Sequence, residues 1–312
     1  MKKILTSIFA IAMVAVMMLF VACDSSSSSP YSGSYKEVDA QTLYNSTRGV
    51  DTEFKSEPTA EEKVGISMKL KSLSKIDMPA TSTMSANKSD VLLSIDGKMV
   101  NYLDEEGNIK VLANITYISK NDLFYTMPGS EEVKIFSHTT VKLYADGEFF
   151  YIHTIKEENY SGITNKVEEK SRISEYEFKR YISDYLGQYS PESMPEMPSE
   201  ENEFISNVES ICNEKGLRIS MDSSSNDIKI KLDVKDKDKY MSGESSSTED
   251  DLKLNKMEMY FIFDENGYMT ATKMVENMSS STMSVTMDLD MRAYNGNISL
   301  PSDLDTYEQR PY

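Results

Sequence analysis

Side chains able to do acid–base or nucleophilic chemistry are few in this chain. The sequence holds two histidines, His138 and His153, and two cysteines, Cys23 and Cys212. His153 falls on the apolar face of a predicted strand and Cys212 on the apolar stripe of a predicted helix, positions typical of buried and inert groups. The sequence contains no phosphate-binding glycine loop, G-x-S-x-G elbow, H-E-x-x-H motif or zinc-spaced Cys/His cluster. We therefore predict no catalytic residues, no cofactor and no enzymatic activity.

Methionine offers a different chemistry, because thioethers are soft ligands for Cu(I). Beyond the first thirty residues lie 17 of the 21 methionines, and Met194-Pro195-Glu196-Met197 has the M-x-x-M form of such sites. No histidine or cysteine stands nearby, so copper binding is the third hypothesis for function and no metal ligand is assigned. The simpler interpretation is that methionine supplies an adaptable apolar interior.

Cys23 ends a segment typical of export. Lys2 and Lys3 precede an apolar run from Ile8 to Ala22, and serines at 25–29 follow the cysteine. This arrangement resembles the signal of bacterial lipoproteins, whose cysteine is lipidated on sulfur and acylated at its new N-terminus after cleavage. The resemblance implies a signal peptide over 1–22, lipidation of Cys23 and a tether over 23–36. It also implies a protein anchored to a membrane of the cell envelope and facing the periplasm or the cell exterior.

The lipoprotein match is imperfect, since Phe20 and Val21 stand where Leu and Ala or Ser are usual. Two alternatives are an ordinary secretory cut near Ala22 and a retained membrane helix. The apolar run is shorter than the ~18 residues of a spanning helix, and no basic cluster follows it. The residues up to Tyr35 are rich in Ser, Gly and Pro and are predicted to be unstructured.

Charge and composition exclude some partners. Removing Lys2 and Lys3 with the signal leaves 31 basic side chains against 51 acidic ones, a formal charge of −20. Such a body is repelled by phosphate, which argues against nucleic acid and against adhesion to anionic headgroups. The hydrophobic content of 39% and the 19 tyrosines indicate a folded globule. We predict one β-rich domain over 37–312. No intramolecular disulfide is expected, because lipidation of Cys23 leaves Cys212 without a partner.

Period-two alternation dominates from Ile66 onward and predicts strands. Turn signals at Asp96-Gly97, Asp104 to Gly107, Asp146-Gly147 and Asp264 to Gly267 divide these strands into hairpins. The run Glu148 to Ile155 is apolar on both faces, which predicts a central strand covered on both sides. The predicted fold is mainly β: an antiparallel meander forming a curved half-barrel with a few covering helices.

Two helices interrupt the strands. Apolar spacing predicts one near 173–187 and another at 199–215, with Ser199 as N-cap and Gly216 as terminator. A short helix is also predicted over Glu37 to Tyr44, and Lys235 to Asp251 is predicted to be a charged loop.

This order of elements, closed by Tyr294 to Pro301, resembles the LolA-like carriers of bacterial envelopes and their LppX-type lipoprotein relatives over roughly Ile66 to Leu300. The resemblance implies an incomplete barrel lidded by helices around an apolar cavity for acyl chains. It implies no catalytic residues, and the polar loop Lys235 to Asp251 departs from the pattern.

Two main hypotheses result. In the first, the anchored body binds a lipid or other apolar ligand. The candidate cavity residues are Phe149, Tyr151, His153, Met257, Met259, Phe261, Met283, Met287 and Met291. In the second, a structural or surface-exposed lipoprotein with a packed core contacts a protein partner. An interior void of several hundred Å³ favours the first hypothesis and a filled core the second.

Overall fold

The computed structural model describes residues 29–48, 50, 54–55, 57–79, 86–126, 131–160, 162–186, 200–222, 224, 226–241 and 252–309. These residues form one large, curved, unclosed sheet of 13 strands with short helices. The predicted fold class, a curved antiparallel meander with covering helices, is confirmed. The strands are β1 Lys36–Glu37, β2 Val64–Met78, β3 Ala86–Leu103, β4 Ile109–Thr126, β5 Val133–Asp146, β6 Phe150–Tyr160, β7 Ile163–Ile173, β8 Leu217–Asp222, β9 Ile228–Val234, β10 Lys253–Phe263, β11 Met269–Ser279, β12 Met283–Tyr294 and β13 Glu308–Gln309.

The helices begin and end where capping chemistry allows. They are α1 Ala40–Thr47, α2 Glu175–Leu186, α3 Glu201–Lys215 and α4 Lys237–Met241, with a 3₁₀ turn at Leu304–Thr306. The Asp39 side chain accepts a hydrogen bond from the Thr42 N–H at 2.7 Å and starts α1. Gly216, at φ 61°, ends α3 as predicted. Glu200 is the N-cap of α3 and makes no side-chain cap bond, so the prediction of Ser199 as N-cap is wrong.

Two meanders meet side by side in this sheet. The strand order is β1-β8-β9-β10-β11-β12-β2-β3-β4-β5-β6-β7-β13. Strands β2 to β7 form one meander, β8 to β12 form the other, and the segment carrying α2 and α3 connects them. The two are joined through the antiparallel pair β12–β2, which runs in register from Met283↔Ile76 to Tyr294↔Gly65. Only β13, against β7, is parallel among the described pairs.

The face of the sheet that carries the main core is called the inner face here. Helix α2 packs on it through Phe178, whose ring lies 4.8 Å from that of Phe150, and α3 packs on it through Ile211 and Cys212. The buried strand side chains of this core come from both meanders. They include Ile66, Met68, Ile95, Met99, Ala113, Ile115, Val141, Leu143, Ile152, Met257, Met259, Phe261, Met274 and Met291.

The opposite face is charged, and chain segments cover it in two places. Leu304 and Tyr307 pack over Tyr144 and Tyr151. Near the other edge, Tyr31 is 7% exposed and packs on β10 and β11. The prediction that the chain is unstructured up to Tyr35 is therefore wrong for its last residues. Burying an aromatic ring that also hydrogen-bonds outweighs the flexibility of the Ser/Gly-rich sequence around it.

The turns at Gly107, Gly147 and Gly267 form as predicted, each with φ near 83–98°. Asp96-Gly97 is not a turn, because β3 runs straight through it. Gly97 lies opposite Met68 and Ile115, and a Cβ placed there would stand 2.9 Å from Ile115 Cγ1. The glycine serves close packing in the core, a role that local sequence does not distinguish from a turn.

Two smaller predictions need correction. The helix expected from Glu37 starts at Ala40, because residues 36 and 37 pair with β8. The loop expected over Lys235 to Asp251 contains α4, whose Tyr240 is buried in the main core. The signal over 1–22, Cys23, Met194 and Met197 lie outside the described residues. Within the described part of the chain, no helix combines the length and apolarity needed to cross a membrane.

Candidate functional site

The inner face divides into two halves along the strands. The closed half carries the main core under α2 and α3. A cleft between Ile182 of α2 and the strands has a volume of about 10 Å³, and it is lined by Ile66, Met68, Gly97, Lys98, Met99, Ile115 and Ile182. That is room for one water molecule. This cleft is far too small for an acyl chain, and the strand side chains around it are packed into the main core.

Most candidate cavity residues on the methionine-rich strands are packing residues in this filled core. Met257, Met259 and Phe261 on β10 are 1–6% exposed, and Met291 on β12 is fully buried. Met287 is partly buried against the same core, and Leu289 lies between it and Met291 on the same face of β12. Met283 is partly exposed at the start of β12. Only Met283 and Met287 face toward the open part of the inner face.

The other three candidates lie across the sheet from these methionines. Tyr151 and His153 are buried on the opposite face, where the ring of Tyr307 lies 5.6 and 6.3 Å from theirs. Phe149 precedes β6, is 40% exposed and stacks on the Arg172 guanidinium at 3.8 Å. Tyr151, Ile152 and His153 are buried, so this part of the predicted run is covered on both faces. The candidates nevertheless do not line one cavity.

Polar contacts around Tyr151 and His153 are those of a structural cluster. The Tyr151 hydroxyl donates to Asp146 Oδ2 at 2.6 Å, and burial together with this bond raises the pKa of Tyr151 to about 12. His153 Nε2 lies 2.8 Å from Glu168 Oε1, a contact that lowers the pKa of Glu168. Each group is satisfied by a neighbour on an adjacent element. The cluster fastens the C-terminal segment to β6 and β7.

His138 and Cys212 likewise stand in surroundings typical of structural residues. His138 Nε2 contacts Asp122 Oδ1 at 2.9 Å, and its ring stacks on Phe136 at 4.6 Å on the exposed opposite face. Burial raises the pKa of the Cys212 thiol, which disfavours the reactive thiolate. Among the described residues, no group of three or more His, Cys, Asp or Glu side chains is arranged to hold a metal ion.

The open half of the inner face was not identified from sequence. Here β2 to β7 and β12 extend beyond the helices in the part of the chain that the structure describes. Their inward residues form rows across the strands. The row at the boundary of the two halves consists of Met287, Ser72, Leu93, Ser119, Thr139, Lys156 and Val167. The next row consists of Val285, Ser74, Val91, Asn121, Ser137, Glu158 and Asn165. Serine, threonine and asparagine thus make a polar belt with apolar gaps.

Beyond this belt the inward residues become apolar again. One row consists of Met283, Ile76, Ser89, Leu123 and Ile135, and the last consists of Met78, Asn87, Tyr125 and Val133. Exposure is high for large apolar groups: Val91 and Leu123 are each 40% exposed and Met78 is 44% exposed. We call the belt and these two rows the open inner surface. Several large, partly exposed apolar side chains on one surface are typical of an interaction site.

The belt ends in charge at β6. Lys156 Nζ lies 2.8 Å from Glu158 Oε1, and Ser137 Oγ donates to the same oxygen at 3.4 Å. The hydrogen bond from Lys156 lowers the pKa of Glu158, so both side chains are charged at neutral pH. The open inner surface therefore combines apolar contact area with hydroxyl, amide and charged groups. It suits an elongated molecule with a polar end better than a purely apolar one.

No protein-family model, curated protein or solved structure matches this chain. The resemblance to LolA-like carriers therefore stays a prediction.

Proposed function

We propose that this protein is a membrane-anchored envelope lipoprotein, held through Cys23, whose β-rich body binds an apolar ligand such as a lipid or acyl chain. The supporting observation is the open inner surface, where Val91, Leu123 and Met78 keep 40–44% of their area exposed. Each methylene of a chain that covers such groups contributes up to about 0.8 kcal/mol. Catalysis is not part of this proposal.

The proposed binding place differs from the enclosed cavity expected of a lidded barrel. The cleft under α2 is about 10 Å³, so a ligand has to lie along the open inner surface. Its acyl chain would contact the apolar rows, and its polar end would meet the belt of Ser74, Asn121 and Ser137 near Lys156. Of the candidates from sequence, Met283 and Met287 keep a place in this proposal.

Fluorescent fatty-acid titration tests the proposal on the mature chain carrying Cys23→Ser, which should stay soluble because it lacks the proposed anchor. With no further substitution, this chain should bind the probe. The double variant Val91→Ser with Leu123→Ser should bind it about tenfold more weakly, because apolar contact is lost. Ile109→Ser is the matched control, because Ile109 is 59% exposed on β4 near the opposite end of the strand. Absence of probe binding, or equal weakening by the control, would sink the proposal.

The anchor has a separate test. Cys23→Ser should abolish incorporation of labelled fatty acid and release the protein from the membrane fraction or stall its processing. Equal labelling of wild type and variant contradicts lipidation at Cys23.

The filled core also supports the second hypothesis, a surface-exposed or structural lipoprotein that contacts a protein partner. This hypothesis expects a full core-type loss of stability on trimming buried methionines and no binding of apolar probes. The titration above therefore distinguishes the two.

A further inference from the structure

Residues 31–37 lie across the opposite face of the meander β8 to β12 and are here called the N-terminal strap. Tyr31 is buried against β10 and β11, and its hydroxyl donates to Asp290 Oδ1 of β12 at 2.8 Å. The carbonyl oxygen of Ser32 accepts a hydrogen bond from Lys229 Nζ of β9 at 3.2 Å. The last two residues of the strap pair with β8. The strap therefore runs from β12, near the middle of the strand order, to the edge.

Aromatic contacts and a turn fix the start of the strap on the sheet. The rings of Tyr31 and Tyr35 lie 5.6 and 5.8 Å from the ring of Tyr260, and the Tyr35 hydroxyl donates to the Tyr31 carbonyl at 3.1 Å. The Ser32 N–H donates to the Ser29 carbonyl at 3.1 Å, so Ser29 stays next to the strap. The chain that leads back to Cys23 thus leaves the body from a defined place on the opposite face.

The stretch between that place and the proposed anchor is short. From residue 23 to residue 29 is six residue steps, and an extended chain spans at most about 3.3–3.6 Å per residue. The lipidated cysteine therefore lies within about 20 Å of Ser29. Along β12 alone, the distance from Asp290 to Met283, at the open end of the strand, is about 24 Å. The tether is too short to carry the anchor round the strand ends to the open inner surface.

Charge on the opposite face is compatible with a bilayer beside it. The opposite face of β2, the neighbour of β12, carries three exposed lysines, which are Lys69, Lys71 and Lys75. The carboxylates of β12 on this face are compensated: Asp288 Oδ1 lies 3.2 Å from Lys273 Nζ, and Asp290 Oδ2 lies 2.7 Å from Arg292. Lysines close to a membrane are attracted by its anionic headgroups.

The inner side is acidic by comparison. Helix α3 packs on the inner face and has a single basic residue, Lys215. Its exposed acidic side chains are Glu201, Glu203, Glu209 and Glu214. A bilayer with anionic headgroups repels this helix. The path of the strap and the distribution of charge therefore favour the same orientation.

We propose that the bilayer that holds Cys23 lies against the opposite face of β12 and β2, with the open inner surface turned to the aqueous side. This inference rests on the anchor proposed above. The lysines of β2 meet the lipid headgroups, and α3 points away from them. A ligand of the open inner surface then arrives from the aqueous side rather than directly from the anchoring bilayer.

Fluorescence quenching in vesicles tests the orientation. The lipidated chain with Cys212→Ala is labelled at Asp96→Cys, exposed on the opposite face of β3, or at Asn121→Cys, exposed on the open inner surface. The vesicles contain phosphatidylethanolamine, phosphatidylglycerol and a lipid with a spin-labelled headgroup as quencher. The label at position 96 should lose fluorescence and the label at position 121 should keep it. Equal quenching, or stronger quenching at position 121, overturns the proposal.

Releasing the strap gives a second test. Tyr31→Ser removes the buried ring, so the strap should leave the sheet, the tether should lengthen and the difference in quenching between the two labels should be lost. Tyr44→Ser is the matched control, because Tyr44 lies on α1 with its ring 5.5 Å from that of Phe204. The control should keep the difference. A difference that survives Tyr31→Ser contradicts the proposal.

Vesicle flotation separates a failed orientation from a failed anchor. A chain that does not float with the vesicles contradicts lipidation at Cys23 and, with it, the orientation. A chain that floats but shows equal quenching at both labels contradicts the orientation alone. Fatty-acid binding is measured on the Cys23→Ser chain and is independent of both results.

Discussion

The closed and open halves of the inner face share strands β2 to β7 and β12 in one hydrogen-bonded register, yet they differ in the side chains that those strands turn inward. In the closed half β2 presents Ile66, Met68 and Leu70; in the open half the same strand presents Ser72 and Ser74 before Ile76. Helix α2 covers the first set, and the second set lies on the open inner surface. One periodic strand thus supplies both a core and a surface. The stretch of β2 under α2 belongs to the core, and the stretch beyond it lies on the open inner surface.

The comparison makes its largest prediction for two methionines of β12. Met291→Ala should cost about 2–5 kcal/mol of unfolding free energy, because Met291 is fully buried and its loss leaves a cavity. Met283→Ala, in the open half, should cost less than about 1 kcal/mol. Met287→Ala, in the boundary row, should fall between them. Urea unfolding measures all three, and equal costs at Met291 and Met283 would mean that the open half is packed like the core.

Two glycines give the next comparison. Gly97→Ala should destabilise the protein by about 1–3 kcal/mol, since the new Cβ would stand 2.9 Å from Ile115 Cγ1 in the closed half. Gly162→Ala, at the β6–β7 turn of the open half, meets nothing within 4 Å and pays only for its positive φ of 84°. That cost is about 1 kcal/mol. Thermal unfolding distinguishes the two, and a harmless Gly97→Ala would disprove close packing at that point.

Ion pairs on the opposite face of the sheet also differ in burial between the two halves. Behind the closed half, Asp290 accepts bonds from Arg292 at 2.7 and 2.8 Å and from the Tyr31 hydroxyl at 2.8 Å. Burial alone would raise the pKa of Asp290, but these hydrogen bonds outweigh it and lower the pKa. Behind the open half, Asp90 is 43% exposed and 3.9 Å from Lys75.

Because the folded pKa of Asp290 lies below the unfolded one of about 3.9, its contribution is complete above that pH and is lost as the pH falls. Asp290→Asn should therefore cost about 1–2 kcal/mol at pH 7 and progressively less below pH 4. Asp90→Asn should change stability by less than about 0.5 kcal/mol at pH 7. Urea unfolding at pH 7 and pH 3 checks this, and a pH-independent cost at Asp290 would contradict the role given to its charge.

Much of the architecture could be predicted because it is local. Alternation in β12 assigned Met291 and Met287 to one face, and the glycines at 107, 147 and 267 marked true turns. Helix α3 ended at Gly216 as its spacing indicated. Helix capping, turn geometry and side-chain alternation depend on residues within a few positions of one another. They can therefore be predicted from a single sequence.

The site was harder to predict, because alternation gives a side chain's face but not what covers that face. Tyr151 and Met259 both stand at alternating apolar positions of a strand. Tyr307 covers Tyr151 on the opposite face of the sheet, whereas Met259 is enclosed in the main core on the inner face. Leu123 has the pattern of a core residue and is 40% exposed, because its row extends past the helices. Helix placement, strand length and the free edge of β7 depend on contacts between residues far apart in the chain. The sequence alone determined most strands, the alternation of their faces and most turns. Tertiary packing decided which half of the inner face the helices cover and which edge of the sheet stays unpaired.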